Sequence, residues 1–189
     1  MFSQEKYQAM INIKQQFDDL ANNPLSNIGL SVGLVNEEDY FAWRCTIFGP
    51  KDTPYSGGLF ILRVNFPDDF PKTGPEVIFE TPIYHVNINP KNGLKNDGQA
   101  LGHVCINTLN WWEPYYTIRE VLSNIYALFY RGNPESPYGL DRANELKNNK
   151  ELYDKKCKYF TKKYAGVSRT NTDDFADGWD FTYDEKEEE

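Results

Sequence analysis

The residue types that offer chemistry are concentrated in Gly102-His103-Val104-Cys105-Ile106-Asn107-Thr108-Leu109-Asn110-Trp111-Trp112-Glu113-Pro114. A cysteine stands between apolar residues just after a glycine-bearing polar loop, and a double tryptophan and a helix start follow it. Upstream lies Tyr84-His85-Val86-Asn87-Ile88, with His85 twenty residues before Cys105. A thiol, an amide side chain and a loop able to present both are the parts that acyl transfer needs. The thiolate attacks a carbonyl carbon, and an amide N–H stabilises the oxyanion that forms. The competing reading of Cys105 is structural, since an unpaired cysteine is most often a small buried hydrophobe.

The elements around this stretch follow from hydrophobic periodicity. Residues 3–22 predict an amphipathic helix, with Met10, Ile13, Phe17 and Leu20 on one face and Pro24 stopping it. Four strands are expected next, at 28–35, 40–48, 59–66 and 76–81, the third carrying Phe60, Leu62, Val64 and Phe66 in strict alternation. The connections are too short for parallel crossovers, so the strands form an antiparallel meander. Residues 82–116 show no long periodic segment, and a loop of that length inside a compact domain is usually functional. Thr117-Ile118-Arg119-Glu120 is a capping box opening a buried helix through Ile118, Leu122, Ile125 and Phe129, ended by Gly132-Asn133-Pro134. A short helix at Leu140–Leu146 and a longer one at Lys150–Tyr164 complete the domain. The latter should pack Leu152, Phe160 and Tyr164 and expose Lys155, Lys156, Lys158, Lys162 and Lys163. The order predicts an α+β domain over 1–166, helices segregated from an antiparallel sheet.

The segment 167–189 reads as a flexible acidic tail. Asp173 to Glu189 holds nine acidic residues against Lys186 alone, a net −8 that equals the formal charge of the whole chain. The folded part therefore nets to zero and is not a basic nucleic-acid binder. Phe175, Trp179, Phe181 and Tyr183 interleave with the acids, which makes a binding role an alternative to plain solubilisation. Three cysteines at unrelated spacings make neither a disulfide framework nor a zinc site, so no metal is expected. Reduced thiols imply a cytoplasmic or nuclear setting. The first residues carry no apolar run of the signal-peptide kind, and no stretch is long and apolar enough to span a bilayer, so no membrane is implied.

Taken in order, several blocks resemble the ubiquitin-conjugating enzymes over roughly residues 3–165. They are Gly49-Pro50-x-x-Thr53-Pro54-Tyr55-x-Gly57-Gly58, Phe66-Pro67-Asp68-Asp69-Phe70-Pro71, Tyr84-His85-Val86-Asn87-Ile88, Val104-Cys105-Ile106, Trp112-x-Pro114, Thr117-Ile118 and Asn133-Pro134-Glu135-Ser136-Pro137. The resemblance implies that Cys105 takes the C-terminal carboxyl of ubiquitin, or of a ubiquitin-like protein, from an activating enzyme as a thioester. It then passes that carboxyl to a lysine amine of a substrate protein with a ligase's help and no cofactor. The alternatives it leaves are another modifier of the same type, or a non-catalytic variant that binds ubiquitin as a scaffold. By the same resemblance Asn87 stabilises the oxyanion or orders the adjacent loop, and Ser136 helps position the incoming lysine and is a candidate phosphorylation site. His85 is structural, Lys72, Pro114 and Tyr115 are candidate ligase contacts, and the acidic tail is a candidate dock for a basic ligase groove. His103 matches no catalytic position and reads as a loop residue. Cys45, Cys157 and the two tryptophans read as packing.

The chain departs from the family pattern at identifiable places. Val86 stands where proline is usual, which should weaken the restraint on that turn. Pro90 to Gly102 is about ten residues longer than the usual loop and suggests a mobile flap beside the thiol. Lys72 replaces an aromatic contact, and Tyr115 replaces a smaller residue.

Overall fold

Ser3 opens the first helix by accepting the Lys6 backbone N–H at 3.1 Å, and α1 runs Gln4–Asn22. Its buried face is Ala9, Ile13 and Leu20, with Met10 and Phe17 half-buried beside them. The structure, a computed structural model, describes residues 3–90, 100–166 and 178–184.

Four antiparallel strands follow, β1 Leu30–Asn36, β2 Asp39–Phe48, β3 Leu59–Asn65 and β4 Glu76–Phe79, adjacent in chain order. Alternation places Trp43, Cys45 and Ile47 of β2, Phe60, Leu62 and Val64 of β3, and Val77 and Phe79 of β4 in the core. Phe17 of α1 meets Trp43 edge-on at 5.3 Å between ring centroids. The first strand starts later than its alternating pattern predicts. Ser26–Ile28 forms a 3-10 turn closed by Gly29 at φ 66°, a conformation glycine adopts without a Cβ penalty. The fourth ends early, because the Glu80 and Thr81 N–H groups both turn to the Ile61 carbonyl at 2.8 and 3.3 Å.

The stretch from Thr81 to Pro90 is irregular yet buried at every residue. Irregular backbone normally lies on the surface, where water satisfies its polar groups. Here side chains from the last two helices and the β2–β3 connection replace that water. The Tyr84 carbonyl accepts from the Tyr55 hydroxyl at 3.0 Å and the Cys157 thiol at 3.2 Å, and the His85 carbonyl accepts from Arg142 Nη1 at 3.2 Å. The Val86 N–H donates to the Tyr153 hydroxyl at 3.0 Å, and the Val86 carbonyl accepts from the Tyr138 N–H at 2.8 Å. The turn expected to be loose without proline is therefore fastened on both sides. One of its bonds uses an N–H that proline lacks.

Among its described residues, the predicted irregular region 82–116 contains one short element, the single-turn helix α2 at Asn107–Asn110. The capping box forms as expected, with Thr117 and Glu120 bonding reciprocally, and α3 spans Ile118–Leu128 with Ile118, Val121, Leu122 and Ile125 buried. Phe129 follows it into the core, 5.2 Å from Phe60 between ring centroids. Two helices close the domain, α4 Leu140–Asn148 and α5 Lys150–Tyr164. The inward stripe of α5 is Tyr153, Cys157, Phe160 and Thr161 rather than one led by Leu152, which is half-buried. Lys156 is drawn off the exposed side to pair with Glu145, which also accepts the Tyr84 hydroxyl at 2.8 Å. N-terminal helix, four-stranded antiparallel sheet and C-terminal helices make the α+β arrangement expected.

Within the segment 167–189, residues 178–184 lie against the folded domain. Trp179 is 4% exposed and its N–H donates to the Pro90 carbonyl at 3.0 Å. Phe181 lies edge-on to Phe160 at 4.8 Å and to Tyr84 at 5.4 Å. Its ring also faces the Arg142 guanidinium at 4.6 Å, with Tyr84 on that cation at 4.4 Å. Of the aromatics interleaved with the acids, Trp179, Phe181 and Tyr183 pack against the chain's own helices, and a packed indole or phenyl contributes far more than the exposed acids oppose. The rest of the acidic segment, 167–177 and 185–189, lies outside the described residues. Among the described residues no helix is long and apolar enough to cross a membrane, and no cluster of three His, Cys, Asp or Glu side chains could hold a metal.

Candidate active site

Cys105 and Asn87 sit on two extended arms held side by side. The Cys105 N–H donates to the Asn87 carbonyl at 2.9 Å, and Ile88 pairs antiparallel with Val104. The second arm continues the sheet beyond β4: the Val104 N–H donates to the Val77 carbonyl at 3.2 Å and Phe79 to the Gly102 carbonyl at 2.8 Å. Gly102 has φ 79°, and a Cβ there would stand 2.1 Å from the Phe79 carbonyl oxygen, so only glycine lets the arm approach.

This pairing brackets the stretch read from the sequence as an insertion. Residues 91–99, the core of the expected flap, lie outside the described residues. Both stems are pinned where they meet: Asn89 N–H to the His103 carbonyl at 3.0 Å, Gly102 N–H to the Asn89 carbonyl at 2.8 Å, and Asn89 Nδ2 to the Ala100 carbonyl at 2.9 Å. Asn89 is fully buried. Loop-closure entropy grows only slowly with length once the stems are fixed, so residues are added without displacing Asn87 or Cys105.

The Cys105 side chain, 5% exposed, has two polar neighbours. Ser136 Oγ lies 3.2 Å from Sγ, and Asn110 Nδ2 donates to Sγ at 3.2 Å. The sequence singles out Ser136 and not Asn110, which arrives through the one-turn helix α2. A polar Asn-Thr-Leu-Asn turn directly after an apolar cysteine arm was the signal available.

Asn87 is completely buried, and its side chain holds the 133–136 loop. Its Oδ1 accepts the Asn133 N–H at 2.7 Å, while Nδ2 donates to the carbonyls of Asn133 at 2.8 Å and Ser136 at 3.0 Å. Of the two roles open to it, this geometry favours ordering the loop, because both amide protons are engaged. His85 is likewise enclosed. Its Nδ1 accepts the Asn87 N–H at 3.0 Å, so its Nε2–H donates to the Leu128 carbonyl at 3.0 Å. Burial pushes its pKa down to about 4, with the Arg142 charge acting the same way against the Leu128 bond, so the ring is neutral near pH 7. A neutral imidazole with both nitrogens engaged has no free nitrogen to serve as a base.

His103 Nδ1 lies 2.6 Å from the buried Tyr138 hydroxyl. Burial raises the thiols of Cys45 and Cys157 to about 12, as fits cysteines that pack rather than react. Trp112 behaves as the packing residue expected, with Nε1 donating to the Pro71 carbonyl at 2.7 Å and its ring against Gly74 and Phe70. Phe70-Pro71 is cis. Trp111 does not pack: it is 76% exposed. Because Trp112 ties the Pro71 loop to its own, exposed Lys72 lies on a loop joined to the one bearing exposed Pro114 and Tyr115.

A family model described as ubiquitin-conjugating enzyme matches residues 12–161, from within α1 to near the end of α5. That span takes in the whole sheet, the paired arms, Cys105 and the Ser136 loop. Members of that family typically act as transferases, in partnership with ubiquitin, an activating enzyme and a ligase. The match covers most of the chain and every element that positions the thiol, and the chain belongs to the ubiquitin-conjugating enzyme family.

Proposed function

We propose that the protein carries ubiquitin as a thioester on Cys105 and transfers it to a lysine amine. In loading, Cys105 Sγ attacks the ubiquitin carboxyl carbon held as a thioester on the activating enzyme. A new C–S bond forms, the old one breaks, and the departing thiol takes the proton. In discharge a neutral lysine amine attacks the same carbon, the C–N bond forms, the C–S bond breaks, and the amine's proton ends on the released thiol. A thiolate leaves readily enough for this aminolysis to proceed at neutral pH.

The observation that carries the reading is the setting of Cys105: an ordered arm fixes its backbone, and Ser136 lies 3.2 Å from its sulfur on a loop that Asn87 holds. In this scheme Asn87 orders the loop, Ser136 borders the acceptor lysine, and a ligase meets Lys72, Pro114 and Tyr115. His85 is structural. The test is incubation with activating enzyme, ATP and ubiquitin, and separately with other ubiquitin-like proteins. A reductant-sensitive adduct is expected with ubiquitin and not in Cys105→Ala. An adduct formed only with another modifier redirects the reading to that modifier, and none with any of them would falsify it.

A further inference from the structure

Asn87, buried and bonded through both amide protons to the carbonyls of Asn133 and Ser136, presents no amide donor to the thiol. Asn110 does. Its Nδ2 lies 3.2 Å from Cys105 Sγ, and its side chain is exposed. Its backbone is nonetheless fixed. The N–H groups of Leu109 and Asn110 donate to the Ile106 carbonyl at 3.1 and 2.9 Å, and that of Trp111 to the Asn107 carbonyl at 2.9 Å. The turn is also tied to α3 by Asn124 Nδ2 and Thr108 Oγ1 at 3.4 Å.

We infer that Asn110 is a catalytic residue of the transfer proposed above, donating its side-chain N–H to the Cys105 sulfur as that sulfur departs as a thiolate. The inference rests on that thioester reading. When the tetrahedral intermediate collapses, the C–S bonding pair moves onto sulfur and negative charge develops there. A thioester sulfur is a weak acceptor and a thiolate a strong one, so a fixed donor stabilises the departing group more than the ground state. Stabilisation of that differential kind accelerates the chemical step. The same donor acts differently in loading, where the thiolate is the attacking group. There removal of the donor trades thiolate fraction against nucleophilicity, and the two changes oppose each other. A donor to the leaving sulfur therefore slows discharge when lost and leaves loading near its original rate. A residue that merely shapes the site slows both.

The experiment compares the wild-type chain with Asn110→Ala and Asn110→Asp, in single-turnover loading from activating enzyme and ubiquitin and then in discharge of the isolated thioester to free lysine. Both variants should melt at the wild-type temperature, load within about 2-fold of wild type, and discharge about 10- to 100-fold more slowly. Asn110→Asp should be at least as slow as Asn110→Ala, because a carboxylate cannot donate. Wild-type discharge rates in both variants overturn the inference, and so does equal slowing of loading and discharge. Failure of the wild-type protein to form any thioester overturns the underlying reading instead, and is distinguished by being seen before any variant is compared.

Discussion

Replacing Asn87 by alanine separates a loop tether from a free hydrogen-bond donor. The substitution removes three side-chain bonds, from Asn133 N–H at 2.7 Å and to the carbonyls of Asn133 and Ser136 at 2.8 and 3.0 Å. At roughly 1 kcal/mol net for each bond, the loss is about 3 kcal/mol. Asn133 is exposed, so water partly replaces its bonds and brings the expected cost to about 2–3 kcal/mol. For a chain of this size that lowers the melting temperature by about 5–10 °C. Asn87→Asp should cost at least as much at neutral pH, since its second carboxylate oxygen faces two carbonyl oxygens in a fully buried site. The assay is thermal unfolding by circular dichroism, with hydrogen exchange at the Ser136 and Tyr138 amides and thioester discharge measured on the same samples. Loss of exchange protection in the loop should accompany the loss of discharge. An Asn87→Ala protein that melts within about 1 °C of wild type, with unchanged exchange but strongly reduced discharge, would refute the reasoning and make Asn87 a direct donor.

His85 predicts a pH dependence. Its folded pKa, about 4, lies below the ordinary value of 6.5, so the unfolded chain binds the proton first. Its contribution is intact above pH 6.5 and is lost as pH falls through 4, about 3 kcal/mol in all. Urea midpoints measured across that window should fall less steeply in His85→Gln, and equal slopes would contradict its burial as a neutral ring. Deleting residues 178–189 should lower stability by about 3–5 kcal/mol, the usual cost of removing a buried tryptophan, through Trp179 and Phe181. An unchanged urea midpoint would mean that the segment does not pack in solution. Gly102→Ala, with a Cβ 2.1 Å from a carbonyl oxygen and φ at 79°, should destabilise by at least about 2 kcal/mol and slow thioester formation. A fully active, equally stable Gly102→Ala would show that the Cys105 arm tolerates displacement.

The main helices and strands, and their order, are written in local residue patterns. Alternation in Phe60, Leu62 and Val64, the Thr117–Glu120 capping box and the helical stripe of α3 are local patterns, each imposed by the repeat of one element, and local patterns are legible without a fold. Ordered motifs single out Cys105, Asn87 and Ser136, and the fold brings these three into contact. Where the reading slipped, a non-local partner was responsible. Thr81–Pro90 is buried because Tyr55, Arg142, Tyr153 and Cys157 satisfy its backbone, and those side chains come from up to 73 positions away. The segment 167–189 reads as an acidic tail because nine of its residues are acids, yet within it Trp179 and Phe181 find an aromatic surface built from Tyr84 and Phe160. That Asn87 faces the loop while Asn110 faces the sulfur is set by the tertiary fold. An amide's role depends on which atoms lie within about 3 Å of it, a distance that chain folding sets and residue type does not.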